Sequence, residues 1–287
     1  NETEAIQSAN CSRIWHQTRF HFPSIQALNR MDLYLAAIIQ GLCYASLGIG
    51  VYLSLRIFKI PDITTDGSFT LGGVVAASGL ILGWNAWMVL PATLMAGALS
   101  GATTGIISTR LRINPLLSGI LVMTALYSIN LAIMGRSNIP LDMDMGLFAS
   151  NDIINQKPLL VSIAFAIVIA MAMAWMLKTD LGIAMRATGN NEQMAAANGV
   201  NIDRMKILGL SIANALTALS GYLMVQYQGF ADVNMGVGII ISGLAAVMIG
   251  ESIASLLKIN RVLTVLICMI AGSIVFRLAV AQSLALG

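Results

Sequence analysis

The chain has 287 residues, of which 57% are hydrophobic and only 10% are charged. Charged residues make up about a quarter of an ordinary soluble domain, so this composition excludes a soluble globular protein. It predicts an all-α, polytopic helical membrane protein. The formal net charge of +3 is too small to indicate a nucleic-acid partner. The three cysteines and two histidines lack metal-ligand spacing, so we expect no metal site and no catalytic cluster built on them.

Residues 1–30 differ from the rest because they are polar and carry Arg13, Arg19 and Arg30. They contain no continuous apolar core of the kind that a secretory signal needs. The chain begins with Asn, and its first methionine is Met31. Two interpretations stay open: a polar extension upstream of the native start, or a short flanking helix. The membrane domain is predicted to cover residues 31–287.

About eight membrane helices are predicted, because a bilayer core of about 30 Å needs roughly 20 apolar residues of helix. The uncharged run Gly67–Thr109 is long enough for two spans, with a turn marked by Trp84, Asn85, Trp87 and Pro91. The remaining predicted spans are Leu33–Leu55, Ile113–Gly135, Pro158–Leu177, Ile207–Ala231, Val233–Gly250 and Val262–Gly287.

The basic residues between these spans predict the orientation of the chain. Cytoplasmic loops of membrane proteins carry an excess of Lys and Arg. After Met31, ten loop cations fall on one side and two on the other. The first group is Arg56, Lys59, Arg110, Arg112, Lys178, Arg186, Arg204, Lys206, Lys258 and Arg261, and the second is Arg136 and Lys157. The first side is therefore predicted to be cytoplasmic, and Arg13, Arg19 and Arg30 are the exception.

The stretch from Arg56 to Ser68 joins two spans but contains Pro61 and Gly67, which favour a broken, non-helical passage. The polar residues expected to line it are Asp62, Thr64, Thr65, Asp66 and Ser68. A gate beside a transport pathway and an ordinary cytoplasmic turn both fit this pattern. In the gate interpretation, Asp66 caps the helix that Gly67 and Ser68 open. Asp62 is the less critical acid if it faces only the cytoplasm.

Polar residues inside the predicted spans are further pathway candidates, Asn130 and Asn214 above all. Hydrogen bonding between helices explains them equally well. Glu251 and Arg277 could pair with each other or reach toward lipid headgroups. Gly97, Gly101 and Gly105 share one helical face, which predicts close helix packing.

Residues 178–206 turn polar for the length of a short helical hairpin. Gly189, Asn190 and Asn191 predict that one helix stops and another starts there. A docking element outside the lipid and a solvated connecting loop remain open as interpretations. The loop 136–157 is the largest on the other side, and a docking surface and a passive loop both fit it.

The segment 179–206 resembles the cytoplasmic coupling segment of ABC-importer permeases of the branched-chain amino acid and ribose type. The matching positions are Gly182, Arg186, Ala187, Gly189, Asn190, Ala195, Ala196, Gly199 and Val200. Residues 61–73, 114–141 and 243–252 are similar to a subgroup described as tryptophan/tyrosine-type or uncharacterised permeases. The resemblance runs from about Met31 to the C-terminus.

The resemblance implies a permease subunit in a bacterial inner membrane that performs no chemistry itself and has no catalytic residues. It implies a second permease subunit (a homodimer), two ATPase subunits at the cytoplasmic face and an extracytoplasmic solute-binding protein. The sequence contains no Gly-x-x-x-x-Gly-Lys-[Ser/Thr] motif, so ATP would be bound by the partner subunit. The resemblance also implies that the cargo is a small solute, such as an amino acid.

Two other classes of protein fit the sequence less well. A secondary transporter driven by an ion gradient is the alternative, but it would favour buried acids in mid-span and inverted repeats, and neither is clear in the sequence. An intramembrane enzyme lacks any paired His, Asp, Glu or Ser–Lys constellation.

Overall fold

The computed structural model describes residues 30–142, 146–148, 156–258 and 261–286. The predicted polar extension, with Arg13 and Arg19, lies almost entirely outside the described residues. By its internal contacts the chain divides into residues 1–35 and a compact unit of residues 36–287.

Within the described residues the chain forms eleven α-helices and one two-stranded sheet. The helices are α1 Arg30–Cys43, α2 Ala45–Tyr52, α3 Thr64–Ile81, α4 Ala86–Arg110, α5 Pro115–Met134, α6 Gln156–Lys178, α7 Asp180–Asn190, α8 Glu192–Ala197, α9 Ile202–Gln228, α10 Ile239–Leu256 and α11 Val262–Leu286. A π-helical turn, Leu53–Ile57, extends α2. Strands β1 (Asn138–Pro140) and β2 (Phe230–Asp232) pair antiparallel.

The described helices include seven segments long and apolar enough to cross a membrane. They are Asp32–Ile57, Ala86–Arg110, Pro115–Met134, Lys157–Lys178, Ile202–Gln228, Ile239–Leu256 and Val262–Ala285. Helix α3 is the eighth long helix and differs because nearly all of its residues are buried in the protein. The prediction of about eight membrane helices is therefore confirmed. The predicted boundary at Val233 is wrong: residues 233–238 form turns, and α10 begins at Ile239.

The core lies where α3 and α4 pack against α9. Gly97, Gly101 and Gly105 of α4 face α9 so closely that a Cβ at Gly101 would overlap the Leu210 carbonyl. These glycines therefore let two helix backbones approach, which confirms their predicted packing role. Tyr222 of α9 is fully buried and donates a hydrogen bond of 2.7 Å from its hydroxyl to the Ala86 carbonyl.

The ends of the helices form two distinct faces of this unit. On one face β1 pairs with β2, so the segment that follows α5 is joined there to the segment that follows α9. Of the loop 136–157, residues 143–145 and 149–155 lie outside the described residues, and its predicted docking role stays a prediction. On the opposite face Arg56 forms an ion pair with Glu251 of α10. Arg112 and Lys206 line one cavity at that same face.

Arg277 does not pair with Glu251. Its guanidinium carbon lies 3.7 Å from the centre of the Tyr44 ring, an arrangement that stabilises a cation among apolar helices. Tyr44 in turn stacks on Phe69 of α3, with ring centres 5.7 Å apart. Of the two interpretations for Glu251 and Arg277, the mutual pair is therefore wrong, because each has a different partner within the protein.

Candidate functional site

The polar segment 178–206 folds as the predicted pair of short helices. Helix α7 ends at Asn190, and Asn191 caps α8 by accepting a 3.0 Å hydrogen bond from the Met194 N–H. Side-chain caps of this kind stabilise a helix start by about 1 kcal/mol. Asn201 caps α9 in the same way through the Arg204 N–H, at 3.1 Å. We call residues 178–201 the hairpin.

Three family-matched residues anchor the hairpin to the spanning helices. The Arg186 guanidinium donates through Nη2 to the Leu177 carbonyl at 2.9 Å, which satisfies a carbonyl at the C-terminal end of α6. A Cβ at Gly182 would overlap Leu177. A Cβ at Gly189 would overlap the carbonyl oxygen of Ile57, so the last turn of α7 lies directly on the π-helical end of α2.

A fourth link ties the hairpin to α9. The Lys206 ammonium lies 2.8 Å from the Glu192 carboxylate of α8. Between them the chain reverses at Gly199, whose φ of +82° falls in the left-handed region that favours glycine. A displacement of the hairpin would therefore shift the C-terminal ends of α2 and α6 and the N-terminal end of α9.

The exposed side of the hairpin forms a groove of about 420 Å³ between α7 and α8. It is lined by Asp180, Ile183, Ala184, Ala187, Asn190, Asn191, Met194, Ala195, Asn198 and Val200. Ile183 is 52% exposed and Met194 is 65% exposed. The family-matched residues thus separate into two groups: Gly182, Arg186 and Gly189 are anchors, whereas Ala187, Asn190 and Ala195 line the groove. Ala196 is exposed outside it.

The second candidate site is the break between α2 and α3, at residues 58–63. Every polar residue predicted to line it is buried: Asp62, Thr64, Thr65, Asp66 and Ser68 are between 0% and 6% exposed. The ordinary cytoplasmic turn is therefore wrong for these side chains. The predicted helix start is also wrong, since α3 begins at Thr64, and Gly67 lies inside it to admit Leu126 of α5.

Asp62 is the centre of a buried hydrogen-bond network. Its Oδ1 accepts from the Thr64 N–H at 2.9 Å, and its Oδ2 accepts from Asn214 Nδ2 at 2.6 Å. The Asn214 Oδ1 accepts from the Ser68 hydroxyl at 2.7 Å. The condition under which Asp62 would be the less critical acid therefore does not hold, because its carboxylate is buried and joins the break to α9.

Two members of this network were missed by the sequence analysis. The Ser100 hydroxyl oxygen lies 2.7 Å from that of Ser68, and the Thr104 hydroxyl oxygen lies 2.8 Å from that of Thr64. Both residues belong to α4, four positions apart, beside the glycine face that packs on α9. That spacing is a signal that could have identified them.

Asp66 lies in the first turn of α3 but caps a different helix. Its two carboxylate oxygens accept from the N–H groups of Gly238 and Ile240, each at 2.9 Å. These are the free N–H groups at the start of α10, where a negative charge is stabilised. The prediction of a helix N-terminus as the partner of Asp66 is confirmed, but that helix is α10 and not α3.

Asn130 of α5 is the remaining pathway candidate and is 1% exposed. Its Nδ2 donates to the Gly67 carbonyl at 3.4 Å. Its Oδ1 is buried without a hydrogen-bond partner among the described residues. Asn130 therefore bonds to Gly67 in the first turn of α3, whereas Asn214 bonds to Asp62 before that turn and to Ser68 after it.

The sequence profile described as "Branched-chain amino acid transport system / permease component" matches residues 33–286. A tyrosine transport system permease protein of Clostridioides difficile is 38% identical over 259 residues, which cover 90% of this chain and 85% of the relative. The ribose import permease of Escherichia coli K12 is 27% identical over 213 residues, 72% of this chain and 65% of the relative. A solved metal-chelate type ABC transporter in an inward-facing conformation gives a TM-score of 0.49 at 17% identity, over 92% of this chain and 82% of that one.

Proposed function

The chain belongs to the branched-chain amino acid transport permease family, and from this premise we propose that it couples solute import to a separate ATPase through the hairpin. Membership in the family makes it an ABC transporter permease, a multi-pass protein of the bacterial inner membrane and not an enzyme. The ion-driven secondary transporter is set aside on the same ground.

The groove of the hairpin is the observation that supports coupling. Exposed apolar side chains are common singly, but here Ile183 and Met194 line one concave surface outside the lipid-spanning helices. A concave surface with apolar contents and a polar rim is typical of a docking site. An ATPase subunit at the cytoplasmic face would place a helix or loop in this groove.

The anchors explain how movement at the groove could reach the pathway. The hairpin rests on Ile57 through Gly189, and the six residues that follow Ile57 form the break at residues 58–63. Asp62 in that break bonds to Asn214 of α9. A displaced hairpin would therefore pull on both sides of this bond, because α9 is also held by the pair Lys206–Glu192. Alternating access would follow from two arrangements of these contacts.

The rest of the proposed assembly follows the family resemblance. A second permease subunit, in a homodimer, would complete the pathway, and a solute-binding protein would dock on the outer face near β1 and β2. An amino acid is the proposed cargo, because a relative with 38% identity is named as a tyrosine transport permease. Two ATPase subunits would bind the ATP.

A matched pair of substitutions tests the docking groove. Ala187 is exposed and lines the groove, whereas Ala197 is exposed on α8 outside it. We expect Ala187→Glu to lower both co-purification of the ATPase and binding-protein-stimulated ATP hydrolysis at least tenfold. The reason is that docking would bury an unpaired carboxylate, which costs several kcal/mol, and about 1.4 kcal/mol already changes an affinity tenfold.

Ala197→Glu is the control and should keep both quantities within about twofold of the unmodified protein, since surface substitutions away from a contact are nearly neutral. ATP hydrolysis and co-purification that stay at the unmodified level in Ala187→Glu would contradict docking in this groove. Equal loss in both would place the contact elsewhere on the hairpin.

A further inference from the structure

A small cavity opens beside the first turn of α3, on the side away from the Asp62 network. It has a volume of about 20 Å³ and is lined by Asp66, Gly67, Thr70, Met123, Tyr127, Asn130, Val233, Gly236 and Val237. A polar cavity of 10–15 Å³ already holds one water molecule, so this one accepts a group of that size. Tyr127 is 46% exposed and Val237 is 67% exposed, so the lining reaches the surface of the chain.

The buried Asn130 side chain has an acceptor that no described residue uses. Its Nδ2 points to the Gly67 carbonyl, which fixes the amide orientation and leaves Oδ1 unpartnered. Turning the amide over would place Oδ1 against that carbonyl and lose the hydrogen bond. An orphaned buried acceptor costs about 1–3 kcal/mol, so its presence in a cavity wall indicates a ligand that donates a hydrogen bond.

Asp66 and Thr70 add further acceptors among the residues that line the cavity. The Asp66 carboxylate takes one N–H from Gly238 and one from Ile240, and each of its oxygens can accept a second hydrogen bond. The Thr70 hydroxyl donates its one hydrogen to the Asp66 carbonyl, so its oxygen can only accept further hydrogen bonds. The Asp66 carboxylate and the oxygens of Thr70 and Asn130 therefore belong to residues of a mainly apolar wall, around a space of the size of one water molecule.

Gly236 forms a close contact in the wall of the cavity. A Cβ at Gly236 would overlap both the Asp66 carbonyl oxygen and the Thr70 hydroxyl oxygen. The turn at residues 233–238 can therefore approach α3 only with glycine at this position, and it brings the start of α10 to Asp66. The acceptors, the glycine and the helix start form one unit.

We propose that this cavity receives the protonated amino group of the transported solute, with Asn130 Oδ1 and the Asp66 carboxylate as its acceptors. An ammonium group is about the size of a water molecule and supplies three N–H donors and a positive charge. This inference rests on the proposed function as an amino-acid importer and names the chemical group of the cargo that the permease itself recognises. The site would favour solutes that carry an amino group, because a solute without one leaves the acceptors of the cavity without hydrogen bonds.

The test uses the complete transporter in proteoliposomes and measures the initial rate of L-tyrosine uptake with tyrosine-loaded binding protein. Two small probes are added at equal millimolar concentration: propylammonium chloride, and 1-propanol with potassium chloride to match the ionic strength. Propylammonium should inhibit uptake by the unmodified transporter at least fivefold more strongly than propanol. Tyrosine binding to the isolated binding protein is measured with each probe to confirm that the inhibition occurs at the permease.

Two variants separate the acceptor from the donor of Asn130. Asn130→Leu removes both and should reduce sensitivity to propylammonium at least tenfold. Asn130→Asp keeps an acceptor oxygen and should retain that sensitivity, although it loses the donor to Gly67. If Asn130→Asp loses the sensitivity as Asn130→Leu does, Asn130 acts only by supporting α3, and the proposal is overturned.

Inhibition of the unmodified transporter by the two probes tests the proposal without any variant. If the two probes inhibit equally, or if neither inhibits, the cavity holds water only and the inference fails alone. If L-tyrosine is not transported at all, both the proposed amino-acid cargo and this inference are contradicted. The ATPase-coupling test described above is unaffected by that result.

Discussion

At the scale of single residues, hydrogen bonds hold the break between α2 and α3 inside the protein. Lipid supplies no partners for an irregular backbone, so such a segment must be buried in protein or line a cavity. Residues 58–63 alternate accordingly: Lys59 and Pro61 are exposed, whereas Phe58, Ile60 and Asp62 are buried. The buried acid then bonds to α9, which makes Asp62 and not only Asp66 a central residue of the break.

Asp62→Asn should destabilise the folded permease by about 1–3 kcal/mol, because an amide cannot accept from both the Thr64 N–H and Asn214 Nδ2 and leaves one buried donor unsatisfied. For a chain of this size that corresponds to a fall in Tm of about 2–4 °C per kcal/mol. The measurement is thermal unfolding of the purified permease in detergent.

Asp203→Asn is the matched control for this prediction, since Asp203 is an exposed acid at the start of α9. Its Tm should stay within about 1 °C of the unmodified value. The reciprocal double variant Asp62→Asn with Asn214→Asp should recover part of the loss by reversing the donor and the acceptor. An unchanged Tm in Asp62→Asn would show that the network is not a stabilising one.

At the scale of elements, contacts within the chain make Arg186 and Gly189 anchors of the hairpin. Arg186 is an exposed cation among the family-matched positions of the hairpin. Its guanidinium donates a hydrogen bond to the Leu177 carbonyl within the same chain. Gly189 likewise allows a close approach to Ile57. It does not end α7, because that helix continues through it to Asn190.

Gly189→Ala should loosen the hairpin from α2, because its Cβ would overlap the Ile57 carbonyl oxygen and the backbone must shift. Limited digestion with trypsin at Arg186 and Arg204 measures this, and we expect cleavage to become several-fold faster. Digestion rates report how often such a segment opens locally.

The control for this prediction is Gly48→Ala in α2, where an added Cβ meets only the Ala246 Cβ, at 3.9 Å. That contact is ordinary, and alanine favours a helix over glycine by about 1 kcal/mol. Gly48→Ala should therefore leave the cleavage pattern unchanged. Identical cleavage rates in the two variants would show that Gly189 is not an anchor.

The elements also show how far sequence reasoning extends. Apolar length predicted the spans, and the glycine and asparagine pair predicted the break between α7 and α8, since both signals are local. The partners of Asp62 and Asp66 are 152 and 172 residues away along the chain. No local pattern specifies such pairings, which is why Asp66 was assigned to the wrong helix and why Ser100 and Thr104 were missed.

At the scale of the whole molecule, the proposed sites lie on one connected path through residues 36–287. The groove lies at one end, anchored to Ile57. The break and its network follow, and the cavity with Asn130 lies on the other side of α3. Because α3 is buried along nearly its whole length, a shift at its first turn would change both the Asp62 network and the Asp66 cap. This arrangement can carry the alternation between two states that transport requires.

The most direct measurement of the central claim is the energy source of uptake. The permease, its ATPase and its binding protein are reconstituted in proteoliposomes, and uptake of radiolabelled L-tyrosine is followed with and without ATP. We predict uptake that requires hydrolysable ATP and the ATPase, and that continues when ionophores collapse the sodium and proton gradients. Uptake driven by either gradient in proteoliposomes that contain the permease alone would contradict the account.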